Sequence, residues 1–270
     1  MNLVTTIAVI VAVLLALLLA GRAGLQVQPA PFPPPAGPAA APETVPLPEG
    51  LPPPVEHFYR TLYGNDLPLI ESAVISGRGT MRIGGITFPV RFRFTHETGR
   101  NYHHYIENTF FGLPVMKVDE YYVNGTARLE LPFGVARGSK IDQGANLALW
   151  AEAIWMPAAW ATDPRTHFEP VGEHTAELVV PFGNTEERIT LHFDPKTALL
   201  QEMQSMRYRG EESEEKTLWL NDVREWSRMD GWLIPVTIAV AWGDEASPWA
   251  VFTAEEVVYN GEEPLRTGGV

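Results

Sequence analysis

Short turn signals between alternating stretches are the feature that most constrains the fold. Residues 86–94 alternate almost strictly between apolar and polar side chains, so the apolar ones share one face of a strand. Gly-Gly, Asn-Gly and Asp-Gly pairs at residues 84–85, 124–125 and 230–231 each separate two predicted strands. These pairs favour type I′ turns, whose twist suits neighbouring antiparallel strands. The sequence therefore predicts an antiparallel meander.

Further strand-like stretches extend the meander to about ten or eleven strands, enough for a strongly curved sheet or an incomplete β-barrel. A short amphipathic helix is predicted over residues 55–63 and a longer one over residues 141–155, which Pro157 ends. The longer helix is expected to pack on the concave face of the sheet. The fold class is therefore mainly β (α+β). The other predicted strands are residues 77–83, 100–108, 115–123, 126–131, 176–181, 188–193, 200–208, 216–226, 232–242 and 249–259.

An uncharged apolar run, Leu3–Ala20, precedes the β-rich region. Its length is near the lower limit for crossing a bilayer as a helix. A cleaved signal peptide is the alternative, but the run is longer than the usual apolar core of such a peptide, and no Lys or Arg precedes it. We therefore predict a transmembrane anchor at residues 1–21 and a single-pass membrane protein.

Residues 22–54 are predicted to form a Pro/Ala-rich tether, because residues 26–54 hold half of the chain's 24 prolines. Such a composition favours extended polyproline II. A single β-rich domain then occupies residues 55–270. An export-like leader joined to a spacer favours an extracytoplasmic domain in a bacterial envelope, although Arg22 alone favours the opposite orientation. The sequence leaves the orientation, the cleavage of the N-terminal segment and the oligomeric state open.

Composition excludes several classes of partner and site. The formal net charge of -13 disfavours binding to nucleic acid and electrostatic adsorption to anionic lipid headgroups. The chain has no cysteine, which removes disulfides, thiol nucleophiles and the acylated cysteine of a bacterial lipoprotein. Hydrophobic residues make up 45% of the chain, enough to build a core and line a cavity.

The motifs that would carry a known chemistry are missing from the sequence. There is no G-x-S-x-G nucleophile elbow, and the glycines of residues 77–85 belong to a strand and a turn instead of a phosphate-binding loop before a helix. His103 and His104 are adjacent in a predicted strand, so they point to opposite faces and do not grip one metal ion. We predict no catalytic residue, no metal site and no cofactor.

The longer helix carries the most distinctive group of candidate residues. Its apolar stripe is expected to face the sheet, where a cavity or a filled core lies between them. Glu152 projects away from this stripe, which favours an exposed side chain; the alternative is a carboxylate at the rim of a cavity. The candidate ligand-binding side chains are Trp150, Ile154, Trp155, Phe88 and Phe92.

The stretch Leu149-Trp-Ala-Glu-Ala-Ile-Trp-Met-Pro157, together with Leu51-Pro-Pro-Pro-Val55 and the curved-sheet pattern, resembles an uncharacterised family of bacterial membrane-anchored domains. The resemblance covers roughly residues 51–260. The order of strands and helices is more distantly similar to that of periplasmic lipoprotein carriers, whose incomplete β-barrel and helical lid enclose a hydrophobic cavity. The closer family implies no catalytic residues, and fold similarity alone does not assign a function.

Three functions are compatible with these patterns. The first is a non-catalytic, membrane-tethered envelope domain that binds a lipid or other hydrophobic ligand between the sheet and the helix. The second is a protein–protein interaction module of an envelope assembly, with an unknown protein partner. The third is an enzyme with a site centred on Glu152, which requires a second polar group beside that carboxylate in a cleft. The identity of the ligand is left open.

Overall fold

The computed structural model describes residues 2–35, 41–261 and 265. Part of the predicted tether, residues 36–40, and most of the C-terminal end of the predicted domain lie outside the described residues. The helices are α1 (Leu3–Gly24), α2 (Pro53–Tyr63), α3 (Ser139–Glu152) and α4 (Ala158–Thr162), with a 3₁₀ turn at Ala153–Trp155.

Fifteen strands are present among the described residues, and thirteen of them form one antiparallel sheet. The other two, β1 and β2, pair with each other. The strands are β1 (Thr44–Pro46), β2 (Asp66–Pro68), β3 (Ser72–Ile83), β4 (Ile86–Glu97), β5 (Asn101–Phe110), β6 (Leu113–Val123), β7 (Thr126–Leu131), β8 (Gly134–Ala136), β9 (His167–Gly172), β10 (Thr175–Phe182), β11 (Thr185–Phe193), β12 (Leu200–Arg207), β13 (Thr217–Met229), β14 (Trp232–Trp242) and β15 (Ala250–Tyr259).

The sheet consists of two meanders joined side by side. Strands β3 to β8 form one meander and β9 to β15 the other, and the pair β3–β15 joins them in the middle. The helices α3 and α4 lie in the chain between the two meanders. Because β8 and β9 are the outer strands and do not pair, the sheet stays open. The predicted fold class, a curved antiparallel sheet or incomplete barrel with a helix packed on it, is confirmed.

The three predicted hairpin turns are confirmed by their backbone angles. Both residues of Gly84-Gly85, of Asn124-Gly125 and of Asp230-Gly231 have positive φ, as type I′ turns require. Each pair connects consecutive antiparallel strands. The strands that were not predicted are short or lie at sheet edges, where alternation is too brief to be read.

The pair β3–β15 brings two backbones unusually close. A methyl group on Gly79 would collide with the carbonyl oxygen of Val251, and one on Gly77 would collide with that of Thr253. Glycine therefore allows the two meanders to approach each other.

Helix α3 is surrounded by the sheet instead of lying on it with one face in water. Two of its polar residues, Gln143 and Asn146, are buried and hydrogen-bonded to strands: Gln143 donates to the carbonyl oxygen of Met206 (3.0 Å), and Tyr122 donates to Asn146 (3.0 Å). The predicted helix over residues 141–155 ends as an α-helix at Glu152, because Pro157 disfavours helical geometry before it and the last turn tightens to 3₁₀.

Three tryptophans fix the helical segment inside the sheet. Trp150, Trp155 and Trp160 are fully buried. The indole of Trp155 donates to the carbonyl oxygen of Pro235 (2.9 Å), and that of Trp160 donates to the carbonyl oxygen of Trp150 (2.8 Å). All three tryptophans therefore belong to the packed core.

The folded domain begins earlier than residue 55. Strand β1 pairs with β2, so residues 44–46 already belong to it. Helix α2 follows and buries Val55, Phe58 and Tyr59 in the core. The predicted helix over residues 55–63 is therefore present, extended by two residues at its start, where proline is favourable.

Residues 25–35, which we call the strap, lie along the outer face of the sheet. The ring of Phe32 packs under the guanidinium of Arg91 (4.4 Å to the ring centroid) and near the ring of Tyr105 (5.9 Å). Arg91 and Arg93 donate hydrogen bonds to backbone carbonyls of the strap. This part of the predicted tether is therefore bound to the domain and is not a free spacer.

Helix α1 is long and apolar enough to span a membrane, with a mean hydropathy of 3.0 over its most apolar window and none of that window buried. An N-terminal signal sequence has the same properties. The helix ends against the turn between β5 and β6, where the backbone N–H of Phe111 donates to the carbonyl oxygen of Gly24 (2.9 Å). The transmembrane anchor stays a prediction. The structure shows that the end of α1 contacts the domain at the turn between β5 and β6.

Candidate functional site

A cavity of about 300 Å³ lies between the inner face of the sheet and the segment formed by α3 and the 3₁₀ turn. This volume is at the lower end of the range of ligand pockets. Most of its wall is apolar and comes from both meanders. The apolar side chains that line it include Phe94, Ile106, Val118, Ile154, Trp155, Met203, Ile238 and Phe252.

A group of polar side chains interrupts this apolar wall. His104, Glu120, Glu152 and Arg207 line the cavity, and His96 lies behind them, fully buried. The guanidinium of Arg207 lies over the ring of Trp219, 4.7 Å from its centroid. The cavity therefore combines an apolar body with a charged region.

Strand alternation places both histidines on the inner face. On β4, the inner residues Phe92 and Phe94 are followed two positions later by His96. On the neighbouring strand, Phe94 is paired with His104 and His96 with Tyr102. His96 and His104 are thus diagonal neighbours on one face of an antiparallel pair, a spacing at which long side chains can meet.

The last turn of α3 brings Glu152 onto these histidines. Its Oε2 lies 3.2 Å from Nε2 of His96 and 2.6 Å from Nε2 of His104. The two histidines come from the consecutive strands β4 and β5, and the carboxylate comes from α3, which is distant from them in sequence. We call His96, His104 and Glu152 the inner triad.

A second set of side chains supports His104 from its other side. Its Nδ1 lies 3.6 Å from Oε2 of Glu120, and Tyr102 donates to the other oxygen of Glu120 (2.7 Å). The ring of Tyr102 stacks on the imidazole of His104, with centroids 3.9 Å apart. The orientation of His104 is therefore fixed by a carboxylate on each side and a ring over its face.

Burial and charge act in opposite directions on these groups. Burial alone would lower the pKa of His104, but the carboxylates of Glu152 and Glu120 outweigh it and raise that pKa. Burial would raise the pKa of Glu152, yet His104 and His96 hold it below its usual range. For His96 burial wins, and its pKa is lowered. His104 and Glu152 therefore form a charged pair, with a neutral imidazole beside them.

The contacts of the inner triad are close but poorly aligned as hydrogen bonds. Among the described residues, both ring nitrogens of His96, Nε2 of His104 and Oε2 of Glu152 are buried without a partner in hydrogen-bond geometry. Buried polar groups normally have such partners. The nitrogen and oxygen atoms of the triad thus lie close together, but the contacts among them do not satisfy their capacity for hydrogen bonds.

The predicted ligand-binding residues fall in three places. Ile154 and Trp155 line the cavity. Phe92 and Phe88, both on β4, are not among the residues that line the cavity: Phe92 is buried, with its ring 4.7 Å from that of Phe94, and Phe88 is half-buried. Trp150 borders a separate surface depression beside Arg165. Ligand binding by these residues stays a prediction.

The expectation that Glu152 is exposed is wrong. Its side chain is 19% exposed and lies at the cavity, as the alternative had it, because the sheet wraps around α3 on more than its apolar stripe. His103 and His104 point to opposite faces as predicted, and His103 contacts Asp119 (2.7 Å). The sequence analysis missed that His104 meets His96 across the strand pair. The alternation on residues 86–94 continues to His96 and was the signal available for it.

The cavity reaches one end of the sheet. Because neighbouring strands are antiparallel, β3, β5, β7, β12 and β14 all finish at this end. Leu131, Trp242 and Trp249, which line the cavity, lie here and are partly exposed. The turn that contacts the end of α1 is at the same end.

Exposed apolar side chains surround this end. Leu113 at the start of β6 is 68% exposed, and Phe133 in the turn between β7 and β8 is 87% exposed. Ile86, Phe111 and Val135 are also exposed there. We call these five residues the apolar rim.

Solved structures with a related chain path come from several bacteria. A domain assigned to outer membrane lipoprotein sorting from Vibrio parahaemolyticus is 8% identical, with a TM-score of 0.46 over 78% of this chain and 92% of that one. A LolA superfamily protein from Nitrosomonas europaea is 10% identical, with a TM-score of 0.46 over 79% of this chain and 93% of that one. A DUF1329 family protein from Desulfovibrio piger is 13% identical, with a TM-score of 0.40 over 72% and 88%. Similarity at this level carries no functional argument.

A search of curated proteins found no match. Residues 42–254 match the family described as "Family of unknown function (DUF6544)". The matched range begins just before β1 and ends within β15, so it contains the cavity and the inner triad. The chain belongs to the DUF6544 family.

Proposed function

We propose that this protein is a membrane-tethered domain that binds a lipid or another amphipathic ligand in the cavity between sheet and α3. The cavity itself carries the proposal: it is lined mainly by apolar side chains and contains a charged region at His104, Glu120 and Glu152. An apolar chain fits the first part and a polar head group fits the second.

The position of the opening supports a membrane source for the ligand. The cavity reaches the end of the sheet that carries the apolar rim and contacts the end of α1. Exposed apolar patches rimmed by polar residues often mark membrane or protein contacts. A domain held in this orientation has its cavity next to the acyl chains of the bilayer in which α1 is anchored.

The test is native mass spectrometry of the full chain, purified gently in detergent from a bacterial host, followed by lipid extraction. We expect one ligand per chain. The variant Ala148→Leu adds apolar volume to the cavity wall and should lower occupancy several-fold. The matched control Ala161→Leu places the same change on α4, away from the cavity lining, and should leave occupancy unchanged.

A reproducibly ligand-free wild-type protein would overturn the proposal and favour a protein–protein interaction module. Equal loss of ligand in both variants, with melting temperatures unchanged, would also contradict it, because occupancy would then not depend on the cavity.

A further inference from the structure

We propose that His96, His104 and Glu152 form a binding site for one divalent transition-metal ion, of the kind that prefers imidazole and carboxylate ligands. The inference goes beyond the proposed ligand-binding function: His104 and Glu152 also belong to the charged region of the cavity, but the site would bind its ion whether or not the cavity holds a ligand.

The distances suit a shared ion. One ligand atom from each of the three residues lies within 4.8 Å of the others. With metal–ligand bonds of about 2.0–2.1 Å, tetrahedral geometry places ligand atoms about 3.4 Å apart. The contact between His96 and Glu152 is already 3.2 Å, and the contact of 2.6 Å between His104 and Glu152 needs only a small side-chain rotation.

The burial of the triad is the second observation. His96 is fully buried and both of its ring nitrogens are without a hydrogen-bond partner among the described residues, while its Nε2 lies 3.2 Å from Oε2 of Glu152. A buried ion pair of His104 and Glu152 alone leaves both ring nitrogens of His96 without a hydrogen-bond partner. A metal ion would satisfy Nε2 of both histidines and Oε2 of Glu152 at once.

The surroundings of His104 match those of a metal ligand. Metal-binding histidines usually turn their other ring nitrogen toward a carboxylate or carbonyl. Here Nδ1 of His104 faces Glu120, which is held in turn by Tyr102. Glu120 would therefore orient His104 and act as a positioning residue.

The ligand set indicates the type of ion and leaves room for a further ligand. Two imidazoles and one carboxylate suit Zn²⁺ or Fe²⁺ better than Ca²⁺ or Mg²⁺, which prefer oxygen. Three protein ligands leave at least one coordination position, and His104 and Glu152 both border the cavity. Water or the polar group of an occupant would take that position.

The test uses the full chain in detergent, treated with chelator and then titrated with Zn²⁺ by calorimetry and with Co²⁺ by visible absorption. We expect one ion per chain and a Co²⁺ spectrum of four- or five-coordinate type. His104→Gln and Glu152→Gln should abolish both signals, whereas Glu120→Gln should retain the stoichiometry with affinity lowered about 10- to 100-fold. Melting curves identify any variant that has not folded.

The control is His103→Gln, because His103 is adjacent in sequence and lies on the opposite face. It should bind the ion like the wild type. A wild-type chain that takes up no ion in either titration would overturn the proposal, as would equal loss of binding in the His103 and His104 variants.

Discussion

At the scale of single residues, the inner triad is the feature that the sequence analysis did not predict. The alternation of β4 predicts which face His96 occupies, and the adjacency of His103 and His104 predicts that only one of them points inward. What joins His96 to His104 is the register of two strands, and what adds Glu152 is the path of α3 inside the sheet. Both depend on tertiary packing, which local patterns do not encode.

Removing Glu152 should destabilise the protein because the buried His104 would lose the nearer of its two carboxylate partners. In the presence of chelator we expect Glu152→Ala to lower the free energy of unfolding by about 3 kcal/mol. Urea unfolding monitored by tryptophan fluorescence measures this. The exposed Glu186→Ala serves as the control and should change stability by less than about 0.5 kcal/mol. Equal stability of both variants would show that the pair with His104 does not stabilise the fold.

Gly79 should not tolerate a side chain, because a Cβ would collide with the carbonyl oxygen of Val251 on β15. Gly79→Ala is expected to cost about 2 kcal/mol or more, since two paired backbones must separate. Gly210→Ala is the matched control, because a Cβ there meets no atom within 4 Å. Thermal melting of the two variants compares them directly, and a Gly79 variant as stable as the control would contradict the close approach.

At the scale of elements, the central strands and the helices were readable from sequence, and the strap was not. Strands β4, β7 and β14 begin where the alternation and turn signals placed them. The strap is rich in proline, a composition typical of extended, semi-rigid linkers. Its attachment depends on one aromatic side chain, Phe32, that finds two arginines on the sheet, and composition does not predict such a match.

Replacing Phe32 should release the strap while leaving the domain intact. Phe32→Ala removes the ring that packs against Arg91 and Tyr105. Hydrogen exchange of the backbone amides in residues 25–32 should then become at least ten-fold faster, with no change in exchange on β3 and β4. Phe133→Ala, which removes an exposed ring, is the control. Unchanged exchange in the strap would mean that the hydrogen bonds from arginine side chains to its carbonyl oxygens are enough to hold it.

The segment after α4 is fixed to the turn between β4 and β5 by a pair that responds to pH. Arg165 donates to Asp163 and to the carbonyl oxygen of Gly99 (2.6 Å). Burial alone would raise the pKa of Asp163, but the hydrogen bonds from Arg165 outweigh it and hold that pKa below its ordinary value of 3.8. The contribution of this carboxylate to stability is therefore present above pH 3.8 and is lost as the pH falls through the lowered pKa.

We therefore expect Asp163→Asn to be less stable than the wild type at pH 7 and to approach it in stability below pH 3.8. Melting temperatures of the two proteins, measured side by side from pH 7 to pH 3, give the difference directly. A difference that is constant over this range would show that Asp163 acts without its charge.

At the scale of the whole molecule, the antiparallel class and the helix that crosses it followed from periodicity and turns. The division into two meanders and the central pair β3–β15 did not, because that pair joins strands distant in sequence. The cavity depends on the same pair, because its wall is built from strands of both meanders. Its position depends on how far the sheet curves around α3, and no local pattern sets that curvature.

The domain is held at two places close to the end of α1. One is the hydrogen bond between Phe111 and Gly24, and the other is the bound strap. These contacts limit the distance that the domain can move from α1. A flexible linker of about thirty residues would let a domain sample a wide volume and many orientations. Here the end of α1 contacts the domain directly, and the strap lies along the sheet. If α1 sits in a bilayer, its opening keeps a constant height and direction, and any molecule it receives or delivers has to come to that layer.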